Sequence, residues 1–320
     1  MQRRLILSAL PMLATPALAQ QGFPNRPVRV ISPFSPGGTS DGVVRLISPT
    51  LERLLGQPVV LENRAGAGGT VGTGAAMNDR PDGHTLVLAN AGPLAIAATL
   101  FPTLPYDPRR LSYVMLVGGA PMVVGVRPGG PIRNMADYLA AARERPEAMT
   151  YGSAGVGSVG HLSGLLWARQ VGVELLHIPF RGGGEAEQAI LGGSLRSLWN
   201  TLGAHAGSVR GGTLQALAVT GAQRMASFPD VPSIGEAGFP DAVAINWFAL
   251  AAPPGTPAPA IERLREAFTT ALNEPGMRDR ILGLGVMGMG DLGPAETQAF
   301  VAREIERWAP VVRASGATPG

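Results

Sequence analysis

Short apolar runs alternate with amphipathic helical stretches along almost the whole chain, the pattern of parallel strands joined by crossover helices. Val28 to Ser32 reads as the first strand, and the helix after it sets Val43, Val44, Ile47, Leu51, Leu54 and Leu55 on one face before stopping at Gly56. Val59 to Glu62 and Thr85 to Ala89 continue the strands. Tyr113 to Val126 reads as one or two more, broken at Gly118 to Pro121, a candidate crossing between domains. The rhythm then restarts. A helix over Asp137 to Arg143, a strand at Met149 to Ser153, a helix over Leu162 to Val171 and a strand at Leu175 to Pro179 lead on. A helix over Glu185 to Leu191 and strands near Leu195 to Trp199 and Leu214 to Thr220 complete a second unit. Val243 to Ala251 is strand-like and reads as the return crossing, closed by Pro253-Pro254-Gly255. Two helices follow, one marked by Ile261, Leu264, Phe268 and Leu272, the other by Val301, Ile305, Trp308 and Val312. Both are expected to pack on the first unit.

At 320 residues the chain exceeds the size at which one core keeps growing, so two α/β lobes with a cleft between them are expected. Hydrophobic residues make up 45% and charged ones 15%, which excludes a chain held open by its own charge. Arg3 and Arg4 precede the apolar stretch Leu5 to Leu13, and Ala17-Leu18-Ala19 offers a small-x-small cleavage site. Residues 1–19 therefore read as a signal peptide cleaved near Ala19, which predicts a periplasmic protein. Its removal leaves 24 arginines against 23 acids, no footprint for nucleic acid. The absence of cysteine rules out disulfides, thiolate metal sites and a lipidated Cys. No later apolar stretch is long enough for a membrane span.

Three glycine-rich loops each follow a strand and precede a helix: Pro36 to Asp41, Asn63 to Gly69 and Gly152 to Ser158. At the C-terminal ends of parallel strands such loops present amides and a helix N-terminus, and so hold an anion without a charged side chain. One such loop is equally well a tight turn with Thr39, Ser40, Asp41 or Ser158 as helix caps. Three of them, distributed over both units, point to a shared cleft site. Asp41 reads as a cap or a lobe-bridging acceptor.

Two enzyme strings occur by the letter. Gly38 to Gly42 spells a nucleophile elbow with Ser40, but Pro33 to Gly37 intervene between the strand and the turn. Gly155 to Gly160 spells a dinucleotide fingerprint, but Glu174 opens the next strand where the ribose-binding acid should end it. No catalytic residue and no cofactor are expected. His161, His177 and His205 lack metal-ligand spacing, and His161 reads either as facing a ligand or as core; no metal is expected. Trp199, Trp247 and Trp308 read as core.

Phe34-Ser35-Pro36-Gly37-Gly38-Thr39-Ser40-Asp41, Asn63-Arg64 with Gly66-Ala67-Gly68-Gly69, and Pro81-Asp82-Gly83-His84-Thr85-Leu86 occur in an order that resembles the tripartite tricarboxylate transporter substrate-binding proteins, the Bug type. Leu104 to Pro108, Tyr151-Gly152-Ser153 through His161-Leu162, Ala216 to Thr220 and Asp230 to Ser233 with Glu236-Ala237-Gly238 extend the likeness over nearly the whole chain. The resemblance implies a type II periplasmic binding fold, α/β, with two lobes, a hinge and a double crossover. Lobe 1 would comprise residues 20–121 and 244–320, and lobe 2 residues 122–243. It also implies a small carboxylate ligand, a monomer, and membrane permease partners with a large and a small subunit. The ligand contacts it implies are Gly38, Thr39, Ser40, Asp41, Ala67 and Gly68 from one lobe and Ser153, Gly157, Ser158 and His161 from the other, with Asn90 and Ala91 after the third strand. A sensor for a signalling partner would use the same site, and a serine hydrolase would use Ser40. Where the family usually carries acids this chain has Gln188, Arg196 and Asn200. If these face the cleft, they favour a more negative ligand.

Overall fold

The computed structural model describes residues 22–319, so the expected signal segment lies outside the described residues. In the first sheet β1 (Val28–Ser32) lies between β2 (Val59–Asn63) and β3 (Thr85–Asn90), both parallel to it. The helices α1 (Thr39–Leu55) and α2 (Thr70–Met77) make the crossovers. A π-helical turn, Gly92–Ile96, and the short α3 (Ala97–Leu100) follow β3.

β4 (Ser112–Val126) then runs for 15 residues and serves two sheets. Its Ser112 to Pro121 half pairs antiparallel with β9 (Ile245–Ala252), which also pairs antiparallel with β3. Its Met122 to Val126 half pairs antiparallel with β7 (Ser197–Thr201) and β8 (Gln215–Val219). β5 (Thr150–Ser153) lies parallel to β7 and to β6 (Leu176–Pro179). The second unit also holds α4 (Met135–Glu144), α5 (Val159–Gln170), α6 (Gly183–Leu191) and α7 (Ala206–Arg210). The chain ends in α8 (Ala258–Leu272), α9 (Met277–Gly283) and α10 (Pro294–Ser315). Among the described residues no helix is long and apolar enough to cross a membrane.

The break expected at Gly118 to Pro121 is absent. The glycines there serve a crossing chain: Gly119 N donates to Met287 O at 2.9 Å and Met287 N to Gly119 O at 2.8 Å. A Cβ at Gly118 would stand 2.6 Å from Met287 O, so only glycine admits that approach.

Side-chain alternation along the strands builds two core layers on the first sheet. Val28, Val30, Leu86, Leu88, Phe248 and Leu250 face α1, α8 and α9, where Val43, Ile47, Leu51, Leu264 and Phe268 meet them. Ile31, Val87, Ala89, Trp247 and Ala249 face the other way, onto the π-helical turn and onto Val301, Ile305, Trp308 and Val312 of α10. Each fully buried side chain of this size contributes about 1.5–3 kcal/mol. The two helices expected there, α8 and α10, thus both pack on the first sheet. In the second sheet Val124, Val126 and Trp199 lie on one face with Tyr138 and Trp167, and Val123 and Leu198 on the other with Ala186 and Ile190.

Candidate functional site

The parallel strands carry their following loops to the ends that face each other across β4 and β9. After β1 the chain turns through Gly37 (φ 82°) into α1, whose N-cap is Gly38. Neither Thr39 nor Ser40 caps the helix; both lie inside its first turn. Asp41, also in that turn, accepts from Gly37 N at 3.3 Å and from Arg45 Nε at 2.9 Å, so it braces its own loop and bridges no lobes. After β2, residues 66–69 all take positive φ, including Ala67 at 43°. A non-glycine held there costs about 1–3 kcal/mol and persists only where its surroundings enforce it. Asn63 Nδ2 ties this loop to Phe34 O at 3.1 Å.

The loop after β5 forms a hydrogen-bonded knot. Ser158 is the N-cap of α5, its Oγ accepting from His161 N at 3.2 Å. Ser158 Oγ also donates to Ser153 Oγ at 3.2 Å, and Ser153 Oγ meets His177 Nε2 at 2.7 Å. His161 Nδ1 accepts from Gly157 N at 3.3 Å, which requires that nitrogen to be unprotonated. The His161 and His177 rings stack with centroids 4.1 Å apart. Burial lowers the His161 pKa to about 4; burial and then the neighbouring His161 lower that of His177 to about 3. Both rings are therefore neutral near pH 7.

The two sets of loops touch. Ser35 N donates to Arg181 O at 3.4 Å and Ser35 Oγ to Glu185 Oε1 at 3.1 Å. A Cβ at Gly68 would stand 2.2 Å from Val156 O, and one at Gly203 2.6 Å from the Thr39 side chain. The lobes are closed. Between them remains a cavity of about 20 Å³ lined by Gly38, Thr39, Ser40, Asn90, Gly183 and Asn200, with Phe34 and Phe248 at its apolar side. That holds a water molecule, so a larger guest enters by parting the lobes.

Four of the twelve sequence candidates line this cavity: Gly38, Thr39, Ser40 and Asn90. Ala67 lies in the adjoining groove beside Gly155, Val156 and Phe180, and Gly68 sits against Val156 O just behind it. Ser153, Gly157, Ser158 and His161 form the second-lobe knot, and Ala91 is fully buried under the π-helical turn. Of the three departures from the family's acids, only Asn200 reaches the cavity; Gln188 and Arg196 are exposed elsewhere. Thr201 is not among the sequence candidates and Asn200 enters them only as a departure from the family's acids, because their loop carries a single glycine, Gly203, and no glycine-rich run. Their position, ending a strand parallel to β5, was the available signal.

Thr39 Oγ1, Ser40 Oγ and Asn200 Nδ2 are buried there without hydrogen-bond partners. Leaving such a group unpaired costs about 1–3 kcal/mol each, so the cavity is built to pair with a polar guest. Ser40 Oγ makes no hydrogen bond to a histidine, the pairing a nucleophile needs. Among the described residues no three His, Asp or Glu side chains cluster as metal ligands.

Residues 43–317 match the family model of the tripartite tricarboxylate transporter family receptor. The chain is 36% identical over 307 residues to the protein BugT of Bordetella pertussis, covering 95% of this chain and 94% of that one. It superposes with a TM-score of 0.85 on MatC from Rhodopseudomonas palustris with bound malate, at 33% identity, covering 91% of this chain and 100% of that one. An R. palustris protein with adipate gives 0.88 at 30% identity, covering 93% and 100%.

Proposed function

The chain belongs to the receptors of the tripartite tricarboxylate transporter family, and from that premise we propose that it captures a small carboxylate by closing two lobes around it. We place lobe 1 at residues 20–121 with 244–320 and lobe 2 at 122–243, divided where β4 passes from β9 to β7 and β8. The observation that carries the reading is the set of unpartnered buried groups, Thr39 Oγ1, Ser40 Oγ and Asn200 Nδ2, converging on one cavity at the lobe junction. Beside them stand the amides of the loops after β1 and β2 and the N-terminus of α1, which together suit an anion without a charged side chain. MatC was solved with malate and the R. palustris protein with adipate, both dicarboxylates, which supports the same ligand class here.

Gly38, Thr39, Ser40 and Asn90 are the contacts we assign to the ligand itself. Asp41 holds the first loop, Ala67, Gly68 and Ala91 shape the wall, and Ser153, Gly157, Ser158 and His161 hold the opposing loop rigid. The role is capture and release without bond chemistry, in the periplasm after cleavage near Ala19. The closed form is what the large and small permease subunits recognise, because only closure brings surfaces of both lobes into one fixed arrangement.

A thermal-shift panel of small carboxylates with uncharged analogues tests this. A ligand at a hundred times its Kd adds about 2.7 kcal/mol of stability. A raised Tm with carboxylates and none with the corresponding amides is expected; shifts only with uncharged compounds would refute the carboxylate reading.

A further inference from the structure

Beyond the cleft the two lobes meet again at the end of α9. The loop after β7, from lobe 2, lies between two parts of lobe 1: a Cβ at Gly203 would stand 2.6 Å from the Thr39 side chain and 2.8 Å from Leu284 O. Interlobe contact thus continues from the cavity wall to the C-terminus of α9. The last carbonyls of a helix have no intrahelical partner. Here Ile281 O accepts from Val286 N at 3.2 Å and Leu282 O from Gly285 N at 2.8 Å, so the turn after α9 satisfies both. Gly283 O, the next, accepts from Arg210 Nη2 of the other lobe.

Arg210 is the last residue of α7, and its guanidinium lies over the Phe228 ring, with Cζ 4.5 Å from the centroid. Phe228 is itself buried beside Met225 and Val231 in lobe 2. The ring therefore holds the arginine in place from its own lobe, and less side-chain freedom is lost when the guanidinium reaches across. The bond it makes is charge-assisted, and neither partner changes protonation in the physiological range. When the lobes part, water solvates both Gly283 O and the guanidinium, so the bond contributes only to the closed form.

We propose that Arg210 is a latch on the closed form, a positioning residue outside the cleft that bridges to Gly283 O and so slows release of the captured carboxylate without touching it. The inference rests on the reading of capture by lobe closure given above. A contact made only after the lobes have closed acts on dissociation and leaves the encounter with the ligand unchanged.

Stopped-flow tryptophan fluorescence on the mature protein with succinate, malate and adipate tests this. Arg210→Ala is expected to release a bound acid about threefold to tenfold faster than native protein, with its association rate within about twofold of native. Arg210→Lys, which keeps a cationic donor, should recover part of the loss. Phe228→Leu, which frees the guanidinium without touching lobe 1, should show part of it. Arg143→Ala removes the same charge from another exposed position of lobe 2 and should release the acid at the native rate, which separates the latch from a general loss of attraction for anions. A native dissociation rate in Arg210→Ala, or equal acceleration in Arg143→Ala, would overturn the latch while leaving the carboxylate reading in place. No binding of any of the three acids to native protein would overturn both.

Discussion

Gly68→Ala is expected to leave both lobes folded but unable to close, weakening dicarboxylate binding about tenfold to a hundredfold. The added Cβ would stand 2.2 Å from Val156 O, a backbone atom of the other lobe that no rotamer change can move aside. Overpacking of this kind costs about 1–3 kcal/mol in a fixed core. Here the lobes can relieve it by parting, so the cost falls on closure and appears as lost affinity. The left-handed conformation at Gly68 (φ 60°) costs alanine about 1–2 kcal/mol whether the lobes are open or closed. Gly129→Ala separates the two effects: Gly129 is also left-handed (φ 76°), with nothing near its Cβ position. That variant should lose similar stability and bind normally. Calorimetry and small-angle scattering on both check the prediction, and a Gly68→Ala protein that binds and compacts like native would count against a closing cleft.

Stability is expected to fall by about 4 kcal/mol between pH 7 and pH 5, through the stacked His161 and His177. Their native pKa values, about 4 and about 3, lie below the ordinary 6.5. Below pH 6.5 the unfolded chain therefore binds protons that the native knot excludes, and each histidine removes up to about 1.4 kcal/mol per pH unit. The loss begins as pH falls through 6.5 and is complete below the native values. Carboxylates with lowered pKa, such as Asp79, Asp82 and Glu187, add their own loss only below about pH 4.5. The window from 7 to 5 therefore reports chiefly on the histidine knot. Urea unfolding at intervals across it checks this, and His177→Gln should remove roughly half the slope.

The parts of this molecule legible from its residues are those governed by local periodicity. The α1 stripe, Val43, Val44, Ile47 and Leu51, and the α10 set, Val301, Ile305, Trp308 and Val312, are buried as their spacing requires. Strand direction is another matter. The βα rhythm suggests parallel strands throughout, yet β9 runs antiparallel to β3 and β4, because pairing direction depends on the path of the return crossing and leaves no mark in the run itself. Gly118 and Gly119 look like an interruption; they are instead where the 285–289 segment lies against a continuous strand, a long-range contact that composition does not reveal.

The site divides in the same way. Glycine-rich loops announce themselves, so Gly38, Thr39 and Ser40 could be placed at the cavity. Asn200 stands one residue before the end of its strand, and the loop that follows carries a single glycine, Gly203, with no glycine-rich run. Only the packing of α6 against β7 brings Asn200 to the cavity beside Gly183.

The absence of cysteine in the chain makes closure directly measurable. Spin labels on Val71→Cys and Gln188→Cys, both exposed and each on a different lobe, report the interlobe distance by electron–electron double resonance. With saturating succinate a single, shorter and narrower distance is predicted, replacing a longer and broader distribution in its absence; the same distribution with and without succinate, adipate or any other acid that raises Tm would contradict capture by lobe closure.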